Sequence, residues 1–352
     1  MKRRLLHFDF LRAIAIIFII VGHIPQYLNN NQIFLIFSPY FTIIGMGIFV
    51  FISGYLIYEN NKTFNSIDDI ITFYKKRILR IFPLYWLAII LFYAVFAVLI
   101  PRYACGQVDC SEVPIRYGFE NILIHIAGLQ ILLSPLYAIP LPALHFIGLI
   151  ILFYLMYPFF ILYSKRCRDI ILLSLSVLIL FSIIRLTSGI IDSRFFNYFP
   201  IFISGVVCCY LDILHNDKYS KYLVVAPIII VVALLFDLRY VSTLNIDSFS
   251  AIVTLLYTIF IRDSPYLMIA FPIVLLWFAE SFLKGISYQY KGVIESISTA
   301  SYPVFLFHTP LFYIGFGAAY FLKLTGVLHD VFIIGVVIPI IFLISYIIQK
   351  HM

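Results

Sequence analysis

Two ionisable residues in the first apolar segment have the spacing and the chemistry of a functional site. The stretch LRAIAIIFIIVGH places Arg12 and His23 around a run of almost entirely aliphatic residues. In a helix, eleven steps of ~1.5 Å separate them by roughly 16 Å. A guanidinium there can hold an anion, and an imidazole that ionises near pH ~6.5 can accept a proton. We interpret the pair as functional; the alternative is a snorkelling arginine and a histidine satisfied by a neighbouring helix.

A second basic group leads into the third apolar segment. In FYKKRILRIFPLYW, Arg77 and Arg80 are three residues apart and share one face if this stretch is helical. Such a pair can bind phosphate groups, so it predicts contact with a cytosolic polyanion at the membrane. The alternative is a positively charged cytoplasmic anchor, with Tyr85 and Trp86 at the interface.

Two other apolar segments contain residues that indicate how the helices pack: prolines beside a histidine in one, and small residues in the other. Pro303 and Pro310 bracket His308 in SYPVFLFHTPLFY, and a proline frees helix carbonyls that a polar group or a cavity must satisfy. This segment therefore predicts a polar-lined cavity. Ser53 and Gly54, in MGIFVFISGYLIYEN, indicate close approach of two backbones, which helix packing explains without any chemistry.

The histidines of these segments lack the spacing of a metal site. His23, His125, His145 and His308 all lie in membrane segments, but no two are paired within one helix. The sequence also has no zinc signature, glycine-rich phosphate loop or Gly-x-Ser-x-Gly elbow. We expect neither a metal nor a permanently bound cofactor.

The elements that position these residues must be membrane helices, because of the composition. Hydrophobic residues make up 63% of the 352-residue chain and charged residues 12%, against roughly 45–50% and about 25% in soluble proteins. The mean hydropathy is +1.05. The net charge of +7 is concentrated in short loops between apolar runs, which is typical of membrane orientation and argues against nucleic-acid binding.

The apolar runs predict an all-α polytopic membrane protein. We expect one transmembrane domain, residues 1–352, with no soluble domain appended and with the KRR-preceded first run retained as a helix. One run, 119–133, is short and polar, and we predict that it is re-entrant or interfacial. The ten predicted spans are 8–27, 34–57, 83–101, 144–164, 169–187, 197–213, 221–238, 266–284, 297–322 and 330–348.

The loop charges predict the orientation of these ten spans. With both termini cytoplasmic, the inner loops hold 16 lysines and arginines and the outer loops seven. Counting 119–133 as a span would place the basic KRCR loop outside. The chosen orientation also places Cys105 and Cys110 outside, where a disulfide between them is chemically reasonable.

Six motifs occur in a fixed order: FDFLRAIAIIFIIVGH, FVFISGYLI, RILRIFPLYW, FYLMYP, FPIFISG and SYPVFLFHTP. This order resembles that of the acyltransferase 3 family of membrane O-acyltransferases, over nearly the whole chain. The first helix of that family is similar to LDGLRGIAILLVVLFH, where the arginine and the histidine are separated by ten residues, as they are here.

The resemblance implies an enzyme of the plasma membrane. Its donor would be cytosolic acyl-CoA, usually acetyl-CoA, and its acceptor a hydroxyl of a cell-surface or lipid-linked carbohydrate at the outer face. By position in the motifs, His23 would be catalytic with Arg12 and Asp9, and Arg77 with Arg80 would bind CoA. The remaining positions, for which we expect roles in lining the cavity or contacting substrate, are Ser53, Tyr302, His308 and His145.

One stretch departs from the family pattern. Many relatives have a sequence like WFLSVEEQFY, whereas this chain has HFIGLIILFY, with His145 near the tryptophan position and aliphatic residues around Ile150 in place of the acids. An acceptor contact assigned to such a glutamate therefore has no counterpart here.

The residues themselves leave a rival function open. Arginines and a histidine across a bilayer are compatible with a carrier or exporter of a small acid or a lipid-linked sugar. The sequence shows none of the inverted repeats common in transporters, which favours the enzyme. A purely structural assembly partner would leave the intramembrane ionisable residues unexplained.

Overall fold

The computed structural model describes residues 6–24, 28, 32–98, 119–213, 216, 265–283 and 288–351, and the regular structure in these residues is helical throughout. Seven helical stretches among them are long and apolar enough to cross a membrane. The helices are α1 Leu6–His23, α2 Gln32–Asn60, α3 Ile67–Val98, α4 Phe119–Ile126, α5 Gln130–Leu133, α6 His145–Tyr163, α7 Cys167–Ser188, α8 Ser193–Tyr210, α9 Pro265–Phe282, α10 Tyr288–Phe321, α11 Gly326–Phe332 and α12 Ile338–His351, the last two joined by a π-helical turn, Ile333–Val337.

The predicted all-helical architecture is confirmed for the described residues. Nine of the ten predicted spans overlap described helices. The tenth, 221–238, lies outside the described residues, as do Cys105 and Cys110. The count of ten spans and the cytoplasmic termini stay predictions. The segment 119–133 contains α4 and α5, and the eight residues of α4 extend only ~12 Å, too little to cross a hydrocarbon core of ~30 Å.

Helix α1 lies at the centre of the bundle. Leu11, Ala15, Ile16 and Ile19 are fully buried, and α1 packs against α2, α9 and α10. Helix α7 lies at the periphery and exposes an aliphatic surface to the surroundings. An apolar surface of this kind is stable in lipid, whereas the ionisable residues of α1 face other helices.

Helix α3 begins well before the apolar run from which it was predicted. Ser66 and Asp69 form a reciprocal cap: the Asp69 N–H donates to Ser66 Oγ at 3.2 Å, and the Ser66 N–H donates to Asp69 Oδ2 at 3.1 Å. The helix then continues through the basic FYKKRILR stretch and Pro83 into the apolar part. Arg77 and Arg80 are thus held on the same rigid element as the membrane span.

Helices α2 and α8 cross at two glycines. A Cβ at Gly54 would overlap the carbonyl oxygen of Phe202, and a Cβ at Gly205 would overlap that of Phe51. The backbones therefore approach as closely as the absence of side chains allows. This confirms the packing interpretation of Gly54, while the adjacent Ser53 points into the cavity described below.

We expect Gly54→Ala to destabilise the protein by about 1–3 kcal/mol, because the added methyl group forces α2 and α8 apart. The measurement is thermal unfolding in detergent. Gly317→Ala is the matched control: apart from its own stretch of α10, no described atom lies within 4 Å of a Cβ at that position, and alanine is favoured over glycine in a helix by about 1 kcal/mol. Equal melting temperatures for both variants would contradict the tight crossing.

Polar side chains, most of them buried, hold the segment between α3 and α6 in place. The Trp86 indole N–H donates to the carbonyl of Ile126 at 3.0 Å, and the Gln130 side-chain amide donates to the Tyr85 hydroxyl at 2.9 Å. The backbone N–H of Leu141 donates to Nε2 of His125 at 3.1 Å, and Nδ1 of His125 lies 2.8 Å from the carbonyl oxygen of Asn121. These contacts require a neutral His125 with its proton on Nδ1.

The stability of this segment should therefore fall in acid. Burial lowers the pKa of His125 to about 4 and outweighs the hydrogen bond to Asn121, which acts in the opposite direction. The unfolded chain, with a pKa of about 6.5, binds the proton first, so the stabilisation is present above pH ~6.5 and is lost as the pH falls towards 4, by on the order of 3 kcal/mol. Thermal unfolding of wild type and His125→Gln across this range tests it: the variant should show the shallower pH dependence, and parallel curves would contradict the assignment.

Candidate active site

A cavity of ≈ 400 Å³ lies among α1, α2, α3, α6, α10 and the end of α12. Six residues predicted from the sequence line it: Asp9, Arg12, Ser53, Arg77, Arg80 and Tyr302. Tyr154, Ser298, Thr299, Ser301 and Gln349 add polar groups to the wall, and the remaining lining residues are Phe49, Ile52, Leu56, Ile57, Ile81, Phe146, Ile147, Ile150 and Phe305. The cavity is thus polar at the end where α1 begins, and it also has an extensive apolar wall.

Three guanidinium groups converge on the polar end. Arg77 is half-buried, with its guanidinium carbon 5.4 Å from the ring centre of Phe73 and 5.2 Å from that of Tyr154. Contact with two aromatic faces stabilises the cation and limits its orientations. Arg80 lies one helical turn further along α3 and is exposed. Arg12 reaches the same cavity from α1.

Asp9 holds Arg12 in place. Its carboxylate is 1% exposed; Oδ1 lies 3.2 Å from Nη1 of Arg12 and accepts a hydrogen bond of 2.6 Å from the Ser298 hydroxyl of α10. A buried carboxylate needs such partners to remain charged. Asp9 therefore orients the arginine and joins α1 to α10. It lies ~21 Å along α1 from His23, so it does not contact the imidazole.

Tyr302 joins the cavity to α3. Its hydroxyl donates to the carbonyl oxygen of Ile81 at 2.9 Å, close to the two arginines of α3. Ile147 and Ile150 form part of the facing wall. Ile150 is one of the two positions at which the family pattern quoted above has glutamate. Asp9 is the one acidic residue among the cavity-lining residues that the structure describes.

His23 and His308 meet further along α1 and α10, away from the contact between Asp9 and Ser298. His23 is half-buried at the last residue of α1, His308 is fully buried in α10, and their ring centres are 5.0 Å apart. Because the Asp9 and Ser298 side chains also meet, α1 and α10 run side by side in the same direction. The two contacts lie ~15 Å apart along α10.

The ring of His308 has a defined proton arrangement. Nδ1 lies 2.8 Å from the carbonyl oxygen of Phe305 and 3.1 Å from that of Val304, so it must carry the proton. Nε2 is then an acceptor, and it is buried with no hydrogen-bond partner among the described residues. Helix α10 is continuous through both prolines that bracket this histidine.

His145 lies with His23 and His308 and does not line the cavity. It is the first residue of α6 and lies near His23 and near Arg194 at the start of α8. Among the described residues, no cluster of three or more histidine, cysteine or acidic side chains has a geometry suited to a metal ion.

The predicted site residues therefore form two groups. Asp9, Arg12, Ser53, Arg77, Arg80 and Tyr302 line the cavity, whereas His23, His145 and His308 lie beyond its apolar end. The structure places Phe305 between the groups: its ring lines the cavity, and its centre is 6.0 Å from that of His308.

Several site residues were missed from the sequence. Ser298 carries a hydroxyl like many others, and only its contact with Asp9, 289 positions away, distinguishes it. Tyr154 lies in the recognised FYLMYP stretch, which was a usable signal. Phe49, Phe146 and Phe305 are three of 36 phenylalanines, and nothing in their local sequence marks them.

A comparison with known protein families finds a match over nearly the whole chain. The family model Acyl_transf_3, described as an acyltransferase domain, matches residues 5–348, which is nearly the whole chain. No curated protein and no solved structure gives a match.

Proposed function

We propose that this chain, which belongs to the acyltransferase 3 family and is thus a membrane acyltransferase, transfers an acetyl group from cytosolic acetyl-CoA to a hydroxyl of a cell-surface or lipid-linked carbohydrate. The observation that carries the proposal is the convergence of Arg12, Arg77 and Arg80 on one cavity that extends towards His23. The donor is a substrate, and the proposal requires no metal and no resident cofactor.

The arginine end of the cavity suits the phosphates of CoA. A guanidinium can form two parallel hydrogen bonds to a phosphate, and Arg77 is already held between two aromatic rings. The Asp9 carboxylate offsets only one of the three positive charges. CoA is a polyanion that cannot enter lipid. Its nucleotide would therefore remain at the polar end of the cavity, while the thin pantetheine arm extends along the apolar wall.

The histidine end suits the chemical step. A neutral His23 would accept the proton of the acceptor hydroxyl as that oxygen attacks the thioester carbonyl. Collapse of the tetrahedral intermediate breaks the carbon–sulfur bond, and the CoA thiolate takes the proton back from the imidazolium. Nε2 of His308, an acceptor beside this ring, would stabilise the transient positive charge.

The charge distribution supports the orientation that this function needs. With the arginine end of the cavity in the cytosol, 16 of the lysines and arginines occupy inner loops and seven occupy outer loops. The histidine end then faces the outer side of the plasma membrane, where the carbohydrate acceptor is found. Both termini are cytoplasmic in this arrangement.

Mass spectrometry of surface carbohydrates tests the proposal in cells with and without the protein. A gain of one acetyl group on a defined sugar, and consumption of acetyl-CoA by the purified protein with that acceptor, are expected. Reconstituted vesicles provide the test of the rival function. Accumulation of solute in the absence of CoA, with no thioester consumed, would identify a carrier and refute the enzyme.

A further inference from the structure

Three phenylalanines from three helices close the apolar end of the cavity. Phe49 of α2, Phe146 of α6 and Phe305 of α10 have ring centres 6.3, 6.2 and 4.9 Å apart, for the pairs 49–146, 49–305 and 146–305. These separations are those of favourable aromatic contacts. We call this group the phenylalanine triangle.

The phenylalanine triangle lies between the two groups of polar residues. All three rings line the cavity, and Phe305 also approaches the ring of His308. Neither His23 nor His308 lines the cavity among the described residues. A donor held by the arginines would therefore meet this aromatic layer before its thioester reached the histidines.

The rings differ in how tightly they are held. Phe146 and Phe305 are 6% and 3% exposed, whereas Phe49 is only half-buried. The pair with the shortest separation is therefore enclosed, and the third ring has space on one side. Phe49 is therefore the ring of the three whose side-chain rotamer is least restricted by its neighbours, and rotamer changes are far faster than helix movements.

We propose that the phenylalanine triangle selects the acyl group of the donor and keeps cytosolic water from the histidines. This inference rests on the proposed function. The acyl group, followed by the pantetheine arm, passes between the rings once Phe49 turns aside. A long acyl group must be accommodated beyond the rings before its thioester reaches His23, and Phe305, beside His308, limits the space there. The layer presents no polar side chain, so water gains no hydrogen bonds within it and the thioester is shielded from hydrolysis.

The barrier is tested first by a labelling experiment that does not depend on enzymatic activity. The full-length His23→Cys variant is prepared in inside-out membrane vesicles. The vesicles are then exposed to a small anionic methanethiosulfonate reagent. Mass spectrometry of the peptide that contains residue 23 measures the rate at which the cysteine is labelled. We expect slow labelling with the triangle intact and at least tenfold faster labelling when Phe305→Ala is added.

Two controls make the labelling decisive. Ser53→Cys lines the cavity, so rapid labelling there shows that the reagent enters from the cytosolic side. Phe153→Ala removes an equally buried ring from the same bundle that does not line the cavity. Fast labelling of His23→Cys with all three rings present, or equal rates with Phe305→Ala and Phe153→Ala, would overturn the barrier.

The selection of the acyl group is tested with acetyl-CoA and octanoyl-CoA. We expect the ratio of kcat/KM for octanoyl-CoA to that for acetyl-CoA to rise at least tenfold in Phe305→Ala and to stay unchanged in Phe153→Ala. Phe146→Ala serves as the second variant if Phe305→Ala does not fold. An unchanged ratio in an active triangle variant overturns the selection. If wild type transfers neither acyl group, the proposed function fails, while the labelling result still decides on the barrier.

Discussion

Replacing His23 with alanine is expected to lower the rate of acyl transfer by about 10²–10⁴-fold, the usual contribution of a general base. The acceptor hydroxyl would lose the group that takes its proton, and the CoA thiolate would lose the acid that protonates it. Donor binding should change little, because the arginines line the cavity whereas His23 lies beyond its apolar end. Initial rates and the KM for acetyl-CoA, measured at equal protein levels, separate these two effects.

The matched control for this prediction is His351→Ala. His351 is exposed at the end of α12 and does not line the cavity, so its loss should leave the rate unchanged. Transfer at the wild-type rate by His23→Ala would remove the imidazole from the mechanism. A rise in KM with an unchanged kcat would instead assign His23 to substrate binding.

The architecture was largely predictable from the sequence because bilayer burial acts on each segment separately. A run of apolar residues long enough to span must form a helix in lipid, whatever its neighbours are. Helix α3 shows the limit of this reasoning. Counting apolar residues starts the span at 83, whereas the helix starts at Ile67, because the Ser66–Asp69 cap and good helix formers extend it through charged residues.

The cavity was predictable in part, through residues that are costly in a membrane. Arg12 and His308 are conspicuous in apolar segments, and the Arg77–Arg80 spacing indicates a shared face. Which of them share a space depends on how helices pack, and local sequence does not encode this. The structure separates the arginines from the histidines by the phenylalanine triangle, which no periodicity indicates.

The missing acidic residues illustrate the same limit. From the sequence, the aliphatic stretch around Ile150 only removes a contact found in relatives. The structure shows that Ile147 and Ile150 line the same cavity as the phenylalanine triangle. An apolar wall suits the pantetheine and acyl portions of a donor better than an acceptor sugar. Under the proposed function, the acceptor is therefore expected to bind on the side of the phenylalanine triangle where the histidines lie.

The second large effect is expected at the donor end, where the double substitution Arg77→Ala and Arg80→Ala should raise the KM for acetyl-CoA by about 10²-fold or more. Each charge-assisted hydrogen bond contributes roughly 1.5–3 kcal/mol, and a factor of ten in affinity corresponds to about 1.4 kcal/mol. The kcat at saturating donor should fall much less, because neither arginine reaches the histidines. Lys75→Ala with Lys76→Ala is the matched control, since these exposed neighbours on α3 carry the same charge and do not line the cavity.

A truncated donor distinguishes phosphate binding from general damage to the protein. Acetyl-pantetheine carries the same thioester and arm as acetyl-CoA but lacks the nucleotide phosphates. If Arg77 and Arg80 bind those phosphates, wild type and the double variant should use acetyl-pantetheine with similar kcat/KM, while their values for acetyl-CoA differ by about 10²-fold. An equal loss with both donors would show that the arginines support the fold of the cavity and do not bind the donor.

The KM of Arg77→Lys for acetyl-CoA should lie between those of wild type and the double variant. An ammonium keeps the positive charge at the polar end of the cavity but cannot pair with a phosphate through two parallel hydrogen bonds.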